Sequence, residues 1–182
     1  GADAIQVALP FWLAVDDDRL LPFFEAVSAA SGHLPLSIYE TTRCKTTLTL
    51  EQHRMIQQSL PNYLMVKAND GTIGCTVDGC RELSKWVNVF VGESKWRKLV
   101  PCGARGSCSS IVYWNPRVLL SYWQAINAEQ GDDVARLADR FDSLSAFLGE
   151  YFGSRGFTDT AYDRLGAVSS GFLQTSLLNR AP

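Results

Sequence analysis

The sequence predicts an α/β fold whose strands pair in parallel through crossover helices. Short apolar runs alternate with longer amphipathic ones from residue 5 to residue 114, which gives five strands, and helix dominates the remainder. Strands alternating with helices imply parallel neighbours joined by crossovers. No Gly-rich turn follows the first strand, which weakens a nucleotide-binding sheet. Five parallel strands can form an open doubly wound sheet or part of a barrel, and the pattern leaves both open.

The elements follow in order. Ile5–Phe11 (IQVALPF) reads as a strand stopped by Pro10. Asp16, Asp17 and Asp18 are candidate caps for a helix running to Ala30, with Leu20, Leu21, Phe24 and Val27 on one face and Gly32 past its end. Residues 34–40 (LPLSIYE) form the next strand. Leu50–Ser59 is a short helix opened by Thr49, and Asn62–Lys67 is a strand. Thr76–Ser84 reads as helix, Trp86–Val91 as a strand ending at Gly92, and Lys95–Pro101 as a short helix or turn. Gly106–Trp114, rich in small residues, is the expected last strand. Asn115-Pro116 is a cap followed by Pro at the first helical position. Asp132–Phe152 places Val134, Leu137, Phe141, Leu144 and Leu148 at helical spacing, and Thr158–Leu178 holds one or two further helices. Repeats, low-complexity segments and Pro/Gly/Ser linkers are not found.

With 182 residues, 46% of them hydrophobic, the chain can bury a core. A net charge of -2 offers no phosphate-binding surface, so nucleic acid is not an expected partner. No apolar run approaches the roughly 20 residues that span a bilayer, so no membrane partner is expected either. The opening GADAIQVALPFWL lacks a basic leader and a small-residue cleavage site, and does not read as a signal peptide. Cysteines at 44, 75, 80, 102 and 108 match neither zinc spacing nor a redox pair, and the only imidazoles, His33 and His53, lie near no Cys pair. No metal, and free thiols in a reducing cytoplasm, are the expectation.

Two polar residues close apolar strands: Tyr39 ends LPLSIY and Lys67 ends YLMV. In a parallel barrel the carboxyl ends of strands face the active site. A partly desolvated lysine there has its charged form disfavoured, and the neutral amine can attack a carbonyl to form a Schiff base. Tyr39 can shuttle the proton that carbinolamine formation and collapse require. Equally, a strand-end lysine can simply snorkel to solvent, and position alone does not choose.

The stretch PLSIYETTRCKTTLTLEQ…SLPNYLMVKANDG resembles the dihydrodipicolinate synthase / N-acetylneuraminate lyase family. The opening GADAIQVALPFW resembles that family's fourth strand. VNVFVGE resembles the seventh, and GARGSCSSIVYWNP resembles the Gly-x-x-Gly-x-x-Ser segment of the eighth. The resemblance implies a partial (β/α)8 TIM barrel, strands four to eight, with C-terminal helices. Residues 1–115 would be the barrel portion, and residues 116–182 the last barrel helix and a C-terminal helical segment. It implies a lyase, an aldolase or dehydratase, whose Lys67 forms a Schiff base with pyruvate or another 2-keto acid. Tyr39 would be the acid/base, and Arg43, Glu40, Gly92, Glu93 and Ser109 would contact substrate. No cofactor is implied, because the protonated imine is the electron sink.

Three departures qualify this. Strands one to three, with the Gly-Thr-Thr-Gly-like turn that grips the keto acid's carboxylate, have no counterpart. Phe11-Trp12 stands where the synthases carry a relay tyrosine, and an indole N–H only donates. Glu40-Thr41-Thr42 replaces Asn-x-Pro after Tyr39, so Arg43 follows a shorter loop. Strands four to eight alone leave two open edges and expose an apolar inner face, so a homo-oligomer is expected. The alternative is a truncated, catalytically inactive family member acting as a structural or assembly subunit.

Overall fold

Five short strands lie side by side in chain order, and every neighbouring pair is parallel: β1 (Ile5–Val7), β2 (Leu36–Tyr39), β3 (Tyr63–Lys67), β4 (Asn88–Phe90) and β5 (Ala104–Gly106). They are seen in a computed structural model of the chain, which describes residues 1–175. The strand order decides between the two sheets. A doubly wound sheet reverses direction at a switch point. Here each crossover advances one strand in the same sense, as in a barrel.

The chain divides into two compact units, Gly1–Cys108 and the residues from Ser109 on. In the first, register aligns Val7, Ile38, Val66, Val89 and Ala104 in one row across the sheet. The last four are buried. Side chains alternate between the faces of a strand. This row therefore shares its face with Ala68 and Val91, also buried, two residues on from Val66 and Val89.

Three helices complete that core. α1 (Asp17–Ala30) starts after Asp16 in extended backbone, with Asp17 and Asp18 in the first turn where the helix dipole favours acids. It buries Leu20 and Phe24. α2 (Leu50–Ser59) opens on a capping box: Gln52 N–H donates to Thr49 Oγ1 at 3.2 Å, and Thr49 N–H donates to Gln52 Oε1 at 2.8 Å. Its inward positions are Ile56 and His53. α3 (Val77–Leu83) is capped by Thr76, whose hydroxyl accepts the Gly79 N–H at 3.0 Å, and it buries Cys80 and Leu83. Each fully buried Leu or Phe here contributes about 1.5–3 kcal/mol.

The ends of the sheet differ from the sequence reading. β1 stops at Val7, and residues 8–16 form a loop that leaves Phe11, Trp12 and Leu13 exposed. Residues 93–102 form a 3-10 turn, the short helix α4 (Trp96–Leu99), and a second 3-10 turn. The last strand is Ala104–Gly106 rather than Gly106–Trp114, and Ile111–Tyr113 is a 3-10 turn. Gly103 at φ 105° turns the chain so that Ala104 meets Val89. The Ser-Cys-Ser-Ser run beyond Gly106 offers no branched or aromatic side chains to pack a pleated surface.

The second unit is helical, with α5 (Pro116–Asn127), α6 (Gly131–Tyr151) and α7 (Asp159–Ser169). Asn115 accepts the N–H groups of Arg117 and Val118 through its side-chain oxygen and so caps α5. Leu137, Phe141 and Leu148 of α6 are buried, with the rings of Tyr122 and Phe141 5.2 Å apart. Of the stretch expected to be helical over Thr158–Leu178, residues 176–178 lie outside the described residues.

Among the glycines of the first unit, Gly79 leaves the least room for a side chain. A Cβ there would lie 2.0 Å from the Ile73 carbonyl oxygen and 2.7 Å from Thr76 Oγ1. Alanine's helix preference is worth at most about 1 kcal/mol. Backbone overlap costs about 1–3 kcal/mol or more. Gly79→Ala is therefore expected to lower stability in urea unfolding, and an unchanged midpoint would contradict this packing.

Candidate active site

Register brings Tyr39, Lys67, Phe90 and Gly106 into one row at the carboxyl ends of β2 to β5. Alternation puts this row on the face opposite the buried Val89 row. Gln6 and Asn88 on that face are exposed, and Tyr39, Lys67 and Phe90 are half-buried. The face is mixed rather than the apolar surface expected, with Gln6 donating to Ser37 Oγ at 3.0 Å. Lys67 Nζ sits 4.1 Å from the centroid of the Tyr39 ring. A cation over a ring at this distance is worth about 0.5–2 kcal/mol. Across the row, a Cβ on Gly106 would come within 2.9 Å of the Phe90 ring, so glycine there lets the aromatic side chain lie over the last strand.

The remaining sequence candidates lie outside the strands. Arg43 is on an exposed turn, its N–H donating to Thr41 Oγ1 at 3.3 Å. Gly92 has ordinary φ of -62° and open space where a Cβ would stand. Glu93 is buried and accepts the Ser107 hydroxyl at 3.1 Å, joining the ends of β4 and β5. Ser109 belongs to the second unit, where its hydroxyl accepts the Val112 N–H at 3.1 Å.

Glu40 is placed where the sequence reading did not put it. It follows Leu36 and Ile38 in the period-two phase of the strand, so its side chain goes to the helix-packed side and is 4% exposed. Its Oε1 accepts the Leu48 N–H at 2.8 Å, and its Oε2 pairs with His53 Nε2 at 3.1 Å. His53 Nδ1 lies 2.9 Å from the Tyr63 hydroxyl. Burial, reinforced by the Glu40 charge, pushes the Tyr63 phenol well above its ordinary range, so Tyr63 keeps its proton. The pattern that satisfies all three groups has Tyr63 O–H donating to Nδ1 and Nε2–H donating to Glu40. His53 and Tyr63 were not among the sequence candidates. A histidine on the inward face of α2, three residues from Ile56, was the available signal.

The loops after β1 and β2 are tied together. Cys44 Sγ donates to the Leu9 carbonyl at 2.9 Å, Lys45 N–H to Pro10 O at 3.3 Å, and Val15 N–H to Thr46 Oγ1 at 2.9 Å. Burial pushes the thiols of Cys75 and Cys80 up to about 11. Neither is then a nucleophile at neutral pH.

The sequence profile of the Dihydrodipicolinate synthetase family matches residues 1–155. An uncharacterized DapA-like lyase of Pyrococcus abyssi is 20% identical over 148 residues, which are 80% of this chain and 50% of that protein. Two solved structures share the fold. YagE of E. coli K12, a prophage protein of the dihydrodipicolinic acid synthase family in complex with pyruvate, superposes with a TM-score of 0.71 at 22% identity, over 94% of this chain and 56% of that one. A catalytic lysine mutant of Ruminococcus gnavus sialic acid aldolase superposes with a TM-score of 0.77 at 18% identity, over 90% and 53%. The chain thus spans about half the length of the curated relative it matches.

The buried chain sets an order of mutational costs. His53→Ala leaves the Glu40 carboxylate and the Tyr63 hydroxyl both buried without this partner, an expected loss of about 3–5 kcal/mol in total, since each stranded group costs about 1–3 and a charged one more. Tyr63→Phe removes one hydroxyl from a neutral nitrogen, an expected loss of about 1–3 kcal/mol. Denaturant unfolding of both variants checks this, and equal or reversed losses would refute the donor pattern.

Proposed function

From its place in the dihydrodipicolinate synthetase family, to which the chain belongs, we propose that it is a lyase forming a Schiff base between Lys67 and pyruvate or another 2-keto acid. One observation supports this most: the Lys67 amine lies 4.1 Å from the Tyr39 ring at the carboxyl ends of adjacent parallel strands. The unprotonated amine attacks the keto carbon as the carbonyl π bond opens onto oxygen, and the proton lost from the attacking nitrogen passes to that oxygen to give a carbinolamine. Tyr39 donates the proton that lets this hydroxyl leave as water, producing the protonated imine. The imine draws electrons from the neighbouring carbon, so a bond there can form or break without a further cofactor. Water returns the lysine and the keto acid.

Arg43 is the proposed carboxylate contact, suited by its planar two-pronged donor set. The open space at Gly92 leaves room for substrate, and Glu93 with Ser107 supplies a polar wall beside it. A second reading, a non-catalytic structural subunit, draws on Phe11-Trp12 in the loop after β1, where no phenol is available to relay protons. Five free thiols fit residence in a reducing cytoplasm. Among the described residues no helix is long and apolar enough to cross a membrane.

Sodium borohydride with pyruvate is expected to fix a three-carbon acid on Lys67, read by peptide mass mapping, and Lys67→Ala is expected to abolish it. No Lys67 adduct with any of several 2-keto acids would reject the lyase reading, whereas turnover lost in a folded Lys67→Ala variant would reject the structural subunit. Self-association is proposed as well, since β1 and β5 each have a single neighbour in the described sheet. Light scattering should then give at least twice the chain mass of 20.1 kDa, and a uniform monomer would oppose it.

A further inference from the structure

We propose that Glu40 and His53 are positioning residues for the Lys67–Tyr39 pair, fixing the β2–β3 register from behind the sheet. The inference rests on the lyase reading for its consequence in rate, and on geometry alone for its structural part.

The β2–β3 pairing contains a register shift. Leu36 pairs with Tyr63, but Ser37 pairs with Met65, so Leu64 is an extra residue on β3. Beyond the shift, Ile38 meets Val66 and Tyr39 meets Lys67. A slip of one residue would turn each side chain of a strand to the other face. Something must therefore hold the register across the irregularity.

The buried chain spans it. Tyr63 stands before the shift, at the start of β3. Its hydroxyl reaches His53 on α2, and His53 reaches Glu40, which follows Tyr39 beyond the shift. Glu40 then closes the circuit through its backbone, donating its N–H to the Lys67 carbonyl at 2.9 Å. Its own carbonyl accepts Asn69 Nδ2 at 2.8 Å. Both ends of β3 are thereby referred to one residue, and the peptide unit joining Tyr39 to Glu40 is held through Glu40. The carboxylate's other oxygen accepts the Leu48 N–H and so fixes where the loop carrying Arg43 rejoins α2.

The chemistry of the carboxylate suits that task. A buried, hydrogen-bonded carboxylate is a weak source of net stability, because desolvation offsets its attraction to its donors. Its directional bonds instead choose one arrangement among similar ones. Glutamine at position 40 can accept from Leu48 or from His53, but its amide would meet the Nε2–H of His53 donor to donor. Reversing the histidine tautomer would then oblige Tyr63 O–H to find another buried acceptor.

The test compares the parent chain with Glu40→Gln, and with Tyr63→Phe as the milder second variant should Glu40→Gln not fold. Two readouts are taken on samples whose circular dichroism and cooperative melts show a folded state. The first is the rate of pyruvate trapping on Lys67 by cyanoborohydride as a function of pyruvate concentration. Positioning predicts that the maximal rate falls about tenfold or more, with the half-saturating concentration little changed. The second needs no imine chemistry. Reductive methylation with 13C-formaldehyde labels Lys67, assigned by Lys67→Arg, and the Tyr39 ring shifts its methyl resonance upfield. Positioning predicts that this shift collapses in either variant. A folded variant that keeps the parent's maximal rate and methyl shift overturns the proposal, as does a parent with no ring shift. Should the parent trap no keto acid, the lyase reading falls, and the methyl shift alone decides whether Glu40 and His53 position Lys67.

Discussion

Tyr39 and Lys67 are neighbours because β2 and β3 run parallel and regain register after the shift at Leu36 and Ser37. Both residues close their strands, so pairing alone sets one beside the other. The ring-to-amine distance of 4.1 Å follows from that alignment. Glu40, one residue further, bonds its backbone to Lys67 and sends its carboxylate to the opposite side. One strand end thus serves two faces: Tyr39 and Lys67 on the half-covered face, and a buried polar chain against the helices.

The same division runs across the sheet. Ile38, Val66, Val89 and Ala104 bury one face, while Tyr39, Lys67 and Phe90 stay half-buried on the other. Apolar packing supplies stability on one side, and the strand ends of the other are where parallel barrels in general place function. The loops after β1 and β2, tied through Cys44, Lys45 and Thr46, extend this rim. Phe11, Trp12 and Leu13, in the loop after β1, stand exposed.

Much of this was legible in the residues. The strand-closing positions of Tyr39 and Lys67 were legible because apolar runs end abruptly on them, and the helix α2 because Thr49 opens it. The order of strands was not legible from alternation, which fits both winding types, but from the resemblance of successive strands to the fourth, seventh and eighth of a barrel. Glu40 was expected to contact substrate, and the structure turns its side chain to the helix-packed side, in the strand phase of Leu36 and Ile38. Its neighbour in sequence is a pocket candidate, and proximity along the chain outweighed the alternation of faces. His53 passed as an isolated imidazole, because its partners lie 13 and 10 residues away and meet it only after folding. The last strand was placed too late, since Ala104–Gly106 has no branched side chain and owes its conformation to β4 and the turn at Gly103.

A crystal structure of the chain after borohydride reduction with pyruvate tests the account most directly. Continuous density should run from Lys67 Nζ to a three-carbon acid on the face shared with Tyr39 and Phe90, with the Glu40–His53 bond intact behind the sheet. An unmodified Lys67, or an adduct confined to an exposed lysine such as Lys98, would contradict it.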